Sequence, residues 1–349
     1  MTMGAPETPG DGPGVWRRIV FPMVFVIALF VAVFARRGPE QMAFGGNTMG
    51  TTYSVKIVGE GDQAAAEKAV ADALESVNAR MSTYKDDSEL MKFNASKELN
   101  FDASEELQFV IKAALDISHK TNGAFDVTIG PVVNAYGFGP KGQQKIPTDE
   151  ELRALLAAVG HDKLSVTSGK LSKTSPELFV DLSAIAKGYG VDKAADSLEK
   201  LGFTNYMVEV GGEVRARGVN AEDEPWQLGI ETPTETTRKL QRVVPLRDMS
   251  LATSGDYRNY FEKDGVRISH TIDARTGKPI THKLASVSVV YSNCMLADAW
   301  ATALNVLGEE EGLELANEQK LAALFIVRDG NGFREIESEA FTKLARKTP

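Results

Sequence analysis

The run Leu284-Ala-Ser-Val-Ser-Val-Val-Tyr291, followed by Leu296-Ala-Asp-Ala-Trp-Ala-Thr-Ala-Leu-Asn-Val-Leu-Gly308, sets a strand directly before an apolar helix. A second helix (309–319), a hairpin over 321–337 turning at Asp329-Gly-Asn-Gly332 and a short helix close the chain. The same mixture extends upstream. Thr51–Val58 alternates like a strand, while Gln63–Met81 and Ser104–Lys120 carry helical periodicity, the latter opened by Ser104-Glu-Glu106. Gly123 to Gly142 holds five glycines and two prolines and reads as a loop suited to close approach of a ligand. Pro147-Thr-Asp-Glu-Glu151 opens a helix, short strands follow around 164–181, and Ser183 to Leu201 is a helix ended by Gly202. Strands are expected near 204–218, 226–231, 239–246, 250–253 and 258–272. Helices and hairpins intermixed in this way indicate an α+β fold and not a doubly wound sheet.

Within the helix at 296–308, Asp298 and Thr302 stand four residues apart and so share a face. A carboxylate and a hydroxyl on one side of an otherwise apolar helix suit a hard cation such as Mg2+, which takes few protein ligands. The alternative is local: Asp298 caps the helix and Thr302 bonds back to a carbonyl.

The 349-residue chain is long enough for a large core. Thirty-nine basic against 48 acidic residues leave a net charge of −9, with no basic tract beyond the N-terminus, which argues against nucleic acid as a partner. The single cysteine, Cys294, excludes an intrachain disulfide and a cysteine-based metal cluster. After a tail (1–18) ending in Trp16-Arg-Arg18, an uncharged apolar run from Ile19 to Ala35 is long enough to span a bilayer. Val33-Phe-Ala35 also resembles a signal cleavage site, but the run exceeds a usual signal core, and an uncleaved anchor is the preferred reading. Residues 36–46 read as a tether, with the folded domain over 47–349 outside the cytoplasm.

Six polar stretches follow in order: Thr48-Met-Gly-Thr51, Met81-Ser-Thr-Tyr-Lys-Asp-Asp-Ser88, Gly123-Ala-Phe-Asp-Val-Thr-Ile-Gly-Pro131, Asp181-Leu-Ser-Ala-Ile-Ala-Lys-Gly-Tyr189, Ser269-His-Thr-Ile-Asp-Ala-Arg-Thr-Gly277 and the Asp298 helix. Val210-Gly-Gly-Glu213 and Thr253-Ser-Gly-Asp-Tyr257 lie between them. Together they resemble the ApbE family of FAD:protein FMN transferases. The resemblance implies a single two-lobed catalytic domain, ApbE-like and T-fold-related. It implies an enzyme that splits FAD at its pyrophosphate, attaches FMN through a phosphoester to a client Thr or Ser, and releases AMP. Clients of such enzymes include subunits of sodium-pumping NADH:quinone reductases and related membrane redox complexes. With the anchor, this implies a single-pass inner-membrane protein whose catalytic domain faces the periplasm.

The resemblance also implies roles by position. Asp298, Thr302 and the main-chain oxygen of Ala184 would hold Mg2+; some relatives carry a further acid at the position of Ala301. His270 would sit beside the FAD diphosphate as the base for the client hydroxyl, a task an imidazole performs near neutral pH. His119, His161 and His282 read as surface residues. Met49, Tyr84, Ala124, Phe125, Asp126, Asp181, Lys187 and Ile272 would line the flavin and adenine pocket, although some relatives have an acid in place of Lys187. From residue type alone, Met49 and Phe125 also suit a core, Tyr84 a loop anchor and Asp181 a cap. Two further functions fit the same residues: an FAD pyrophosphatase giving FMN and AMP, and an exported flavin-binding protein without turnover.

Overall fold

Neighbouring residues of strand Ala322–Asp329 belong to opposite cores: Ala323, Phe325 and Val327 pack with one apolar cluster, Leu324 and Ile326 with another. This strand and Leu284–Tyr291, buried at seven consecutive positions, are neighbours in a sheet covered on both faces. The computed structural model describes residues 40–347 except 141, 235–238, 257–259 and 264. The eight strands run in the spatial order Gln41–Thr48, Thr51–Val58, Tyr206–Val210, Glu213–Arg217, Met249–Gly255, Leu284–Tyr291, Ala322–Asp329, Gly332–Glu337. Every neighbouring pair is antiparallel.

Helices cover one face. Helix Gln63–Met81, capped by Asp62 Oδ1 accepting from Ala65 N at 3.0 Å, packs through Val70 and Leu74 onto Val55, Ile57 and Val208. Helix Ala186–Lys200 shares that cluster through Val191, Ala194 and Leu198. Helix Glu105–Lys120 and the helical span Cys294–Glu318, broken at Gly308 (φ 81°) into the two helices expected there, fill the next stretch of the same face. The hairpin Trp226–Glu231/Leu240–Leu246 and helix Glu339–Lys347 cover the other. Burying each Leu, Val or Ile in these clusters contributes roughly 1.5–3 kcal/mol, which is why the apolar periods decide the architecture. From Gln41 onward the chain clusters as one unit.

Several expectations change. Residues 41–46 are not tether but strand, paired from Gln41↔Val58 to Thr48↔Thr51. The glycines that made this segment look flexible are instead required by contact, since a Cβ at Gly45 would stand 2.5 Å from Tyr53 O. The two strands join through Met49 and Gly50, both at positive φ (48° and 73°), the geometry of a tight hairpin turn. The helix expected from Ser183 begins at Ala186, because Asp181 Oδ1 accepts from Ser183 N (2.9 Å) and Oγ (2.5 Å) and holds that segment in a turn. A helix, Gly130–Tyr136, lies inside the segment read as loop, with Pro131 in its first turn. The strands around 164–181 are confined to Leu164–Thr167 and Lys170–Lys173.

The apolar run at 19–35 and the tail before it lie outside the described residues. Among those described, no helix is long and apolar enough to cross a membrane.

Candidate active site

Helix Ala186–Lys200 and helix Cys294–Glu318 meet with almost no space between their backbones. A Cβ at Gly188 would lie 2.3 Å from Cys294 O and 2.8 Å from Asp298 Cβ, so this contact exists only with glycine at 188. Closeness lets Asp298 Oδ2 accept the Gly188 N–H at 2.9 Å. Gly188 stands in the first turn of its helix, where an N–H has no intrahelical partner, so the Asp298 carboxylate satisfies it as a cap would. Ala184 lies just before that helix, outside its ladder.

Asp298, Thr302 and Ala184 border one cavity of about 410 Å3. Their donors are a carboxylate, a hydroxyl and a carbonyl that precedes the helical ladder, all hard oxygens; the set fits Mg2+. No group of three or more His, Cys, Asp or Glu side chains suited to a metal occurs among the described residues, so a hydroxyl and main-chain set is the one this cavity offers.

Ala124, Phe125, Asp126, Asp181, Lys187, His270 and Ile272 line the same cavity. Phe125 is buried and offers a flat apolar wall. Asp126, also buried, accepts through Oδ1 from Thr128 N (2.8 Å) and Oγ1 (2.7 Å), and Thr128 in turn accepts from Gly160 N at 2.8 Å. His270 follows strand Val266–Ser269 and stands edge-on to Phe138, with ring centroids 6.2 Å apart. Met49 and Tyr84 are not brought to this cavity. Met49 sits in the hairpin turn with its sulfur against Gly190, and Tyr84, 70% exposed, lines a second hollow of about 240 Å3. Asp181 borders both hollows.

Charge is concentrated at the cavity wall. Lys187 Nζ lies 2.6 Å from Glu213 Oε1. Burial pushes the Glu213 carboxyl up to about 7, against the pull of Lys187 and with the added push of Asp298. Burial alone would lower the Lys187 ammonium, but Asp298 and Glu213 outweigh it and hold Lys187 above its usual value. The Asp298 carboxyl is likewise raised by burial, opposed by Lys187 and the Gly188 N–H. Burial also raises the Cys294 thiol well above its ordinary value, so it is no nucleophile.

Residue type and spacing had not singled out Glu213 or Asn305. Asn305 continues the face of Asp298 and Thr302 and donates to Ser254 Oγ (3.2 Å) and Thr271 Oγ1 (3.4 Å), backing the loop that carries His270. The spacing 298, 302, 305 contained that signal. His161 and His282 are not surface residues but half-buried: His161 Nδ1 lies 3.5 Å from Asp126 Oδ2, and His282 packs on Gly308.

The ApbE family profile matches residues 49–325. A Haemophilus influenzae protein named FAD:protein FMN transferase is 45% identical over 334 residues, covering 92% of this chain and 96% of its own. The structure of the flavin transferase ApbE from Vibrio cholerae is 44% identical with a TM-score of 0.82, covering 87% of this chain and 99% of that one. The apo flavinyl transferase ApbE of Pseudomonas stutzeri is 38% identical with a TM-score of 0.82, covering 88% and 98%.

Proposed function

The chain belongs to the ApbE family, and from that premise we propose that it moves the FMN half of FAD onto a Thr or Ser hydroxyl of a client protein, releasing AMP. The observation that carries this reading is one cavity bordered by His270, the oxygen donors Asp298, Thr302 and Ala184, and the walls Ala124, Phe125, Asp126 and Ile272. A second hollow that shares Asp181 with this cavity supports a substrate longer than the cavity alone would take.

In the transfer, the client hydroxyl oxygen forms a bond to the phosphorus of FMN while the bond from that phosphorus to the AMP oxygen breaks. His270 takes the hydroxyl proton. Phe125 and Ile272 keep water from the flavin side, and Asp126, fixed by Thr128, presents an acceptor to a ring or ribose donor. Asp298, Thr302 and the Ala184 carbonyl would hold Mg2+, which when bound supplies Lewis-acid neutralisation of the diphosphate.

The apolar run at 19–35 supports attachment to the inner membrane with this domain on the periplasmic side. The clients that fit are membrane redox subunits such as those of sodium-pumping NADH:quinone reductases. The test mixes the full-length protein in detergent with FAD, Mg2+ and a flavin-free subunit of that kind, then weighs the subunit. A gain of one FMN, lost with EDTA, upholds the reading. Free FMN and AMP with an unchanged client would replace it by hydrolysis, and intact bound FAD by flavin carriage.

A further inference from the structure

Lys187 precedes the residue whose N–H binds Asp298, lines the same cavity and feels the charge of that carboxylate. A Lys–Asp ion pair there would occupy the oxygens a divalent cation needs. The ammonium is held elsewhere, 2.6 Å from Glu213 Oε1. Glu213 opens strand Glu213–Arg217, is 3% exposed, and lines the cavity with its other oxygen, Oε2, buried and without a hydrogen-bond partner. A buried carboxylate with an unpaired oxygen is costly, so stability does not account for a glutamate at this position. Glu213 follows a turn at Gly211 and Gly212, both at positive φ (61° and 107°), and the lysine stem runs past that turn, with a Cβ on Gly211 falling 3.5 Å from Lys187 Cδ, in ordinary contact.

We propose that Glu213 is a positioning residue that draws the Lys187 ammonium away from Asp298, keeping the Asp298 carboxylate available to a divalent cation while the lysine remains a fixed positive charge in the cavity. This rests on the cation reading of Asp298. Lysine and carboxylate can then share one wall without cancelling each other. Partners that orient a metal-binding group change metal affinity about 10–100-fold when removed.

The experiment measures Mn2+ binding by full-length protein with FAD and no client at pH 8, reading free Mn2+ by electron paramagnetic resonance. Glu213→Gln is expected to weaken Mn2+ binding about tenfold or more. Adding Lys187→Met to it is expected to return affinity to within about threefold of wild type, because the competitor is gone; a merely structural role of Glu213 predicts no such rescue. Wild-type affinity in Glu213→Gln, or a double variant as weak as the single while both melt cooperatively, overturns the proposal. If Glu213→Gln does not fold, the Lys187→Met/Glu213→Gln protein decides alone: near-wild-type affinity upholds the proposal and loss of binding overturns it. Wild-type protein that binds no Mn2+ would instead remove the cation reading on which this one stands, whereas failed FMN transfer with intact Mn2+ binding would remove only the transferase.

Discussion

Asp192 and Asp298 cap each other's helices. Asp192, on helix Ala186–Lys200, accepts from Cys294 N (3.0 Å) and Met295 N (2.9 Å), the first two residues of helix Cys294–Glu318. Asp298, one turn into the second helix, returns the bond to Gly188 in the first turn of the first. Arg215 Nη1 holds Asp192 at 3.0 Å. Each carboxylate meets amide donors at a positive helix end, the arrangement that best supports a buried negative charge. The carboxylate proposed to bind a cation is therefore fixed before any cation arrives.

Because Asp298 both caps and carries charge, two substitutions separate its roles. Asp298→Asn keeps an oxygen for the Gly188 N–H and is expected to melt near wild type while Mg2+-dependent turnover falls about a hundredfold or more. Asp298→Ala is expected to lose turnover and also about 1–2 kcal/mol of stability. Chemical denaturation beside a turnover assay measures both, and normal turnover in either variant would discard Asp298 as a metal ligand.

Gly188→Ala tests the helix contact. Replacing glycine inside a helix ordinarily gains up to about 1 kcal/mol. Here the added methyl would meet Cys294 O at 2.3 Å, and backbone cannot yield as a side chain does. Forcing the helices apart is expected to cost about 2–3 kcal/mol net, seen as a lower urea midpoint. An unchanged or higher midpoint would mean that the contact is looser than described.

His270→Ala is expected to bind FAD with little change, followed by flavin fluorescence, and to slow transfer about a hundredfold or more in single turnover. Equal rates at saturating FAD would eliminate His270 as the base.

Glu213 gives the stability a pH dependence of known sign. An exposed glutamate in the unfolded chain titrates near pH 4.3, whereas burial holds the folded group near 7. Between those values the folded protein binds more protons, so this group's contribution is full at low pH and is lost as pH rises through the window. Wild type should therefore lose roughly 3 kcal/mol relative to Glu213→Gln between pH 4 and 8. Parallel stability curves for the two proteins would contradict the raised carboxyl.

The parts of this fold visible in the sequence are those fixed by local periodicity. Gln63–Met81, Trp226–Glu231 and Leu284–Tyr291 begin and end where their apolar patterns do. Strand Gln41–Thr48 was hidden because Gly45 and Gly46 resemble a flexible joint until Tyr53 is placed opposite them. The start of helix Ala186–Lys200 was misplaced because the Asp181–Ser183 hydrogen bonds hold the preceding residues in a turn. Asp298 and Thr302 were legible as a pair on one helix face. The Glu213–Lys187 pair was not, since its members are separated by a helix and a strand and meet only through the Gly211-Gly212 turn.

Strand Gln41–Thr48 has a mechanical consequence. It leads from the point where the chain joins the sheet to the turn at Met49 and Gly50, beyond which Thr52 O accepts from Gly211 N on the cavity wall. Eight extended residues make that distance roughly 24 Å. Paired along its whole length, the strand is stiff, so Gln41 and the cavity wall at Gly211 move as one body. A displacement applied at the first residue of the sheet is passed to the site as a shift of the whole site, with its internal distances kept.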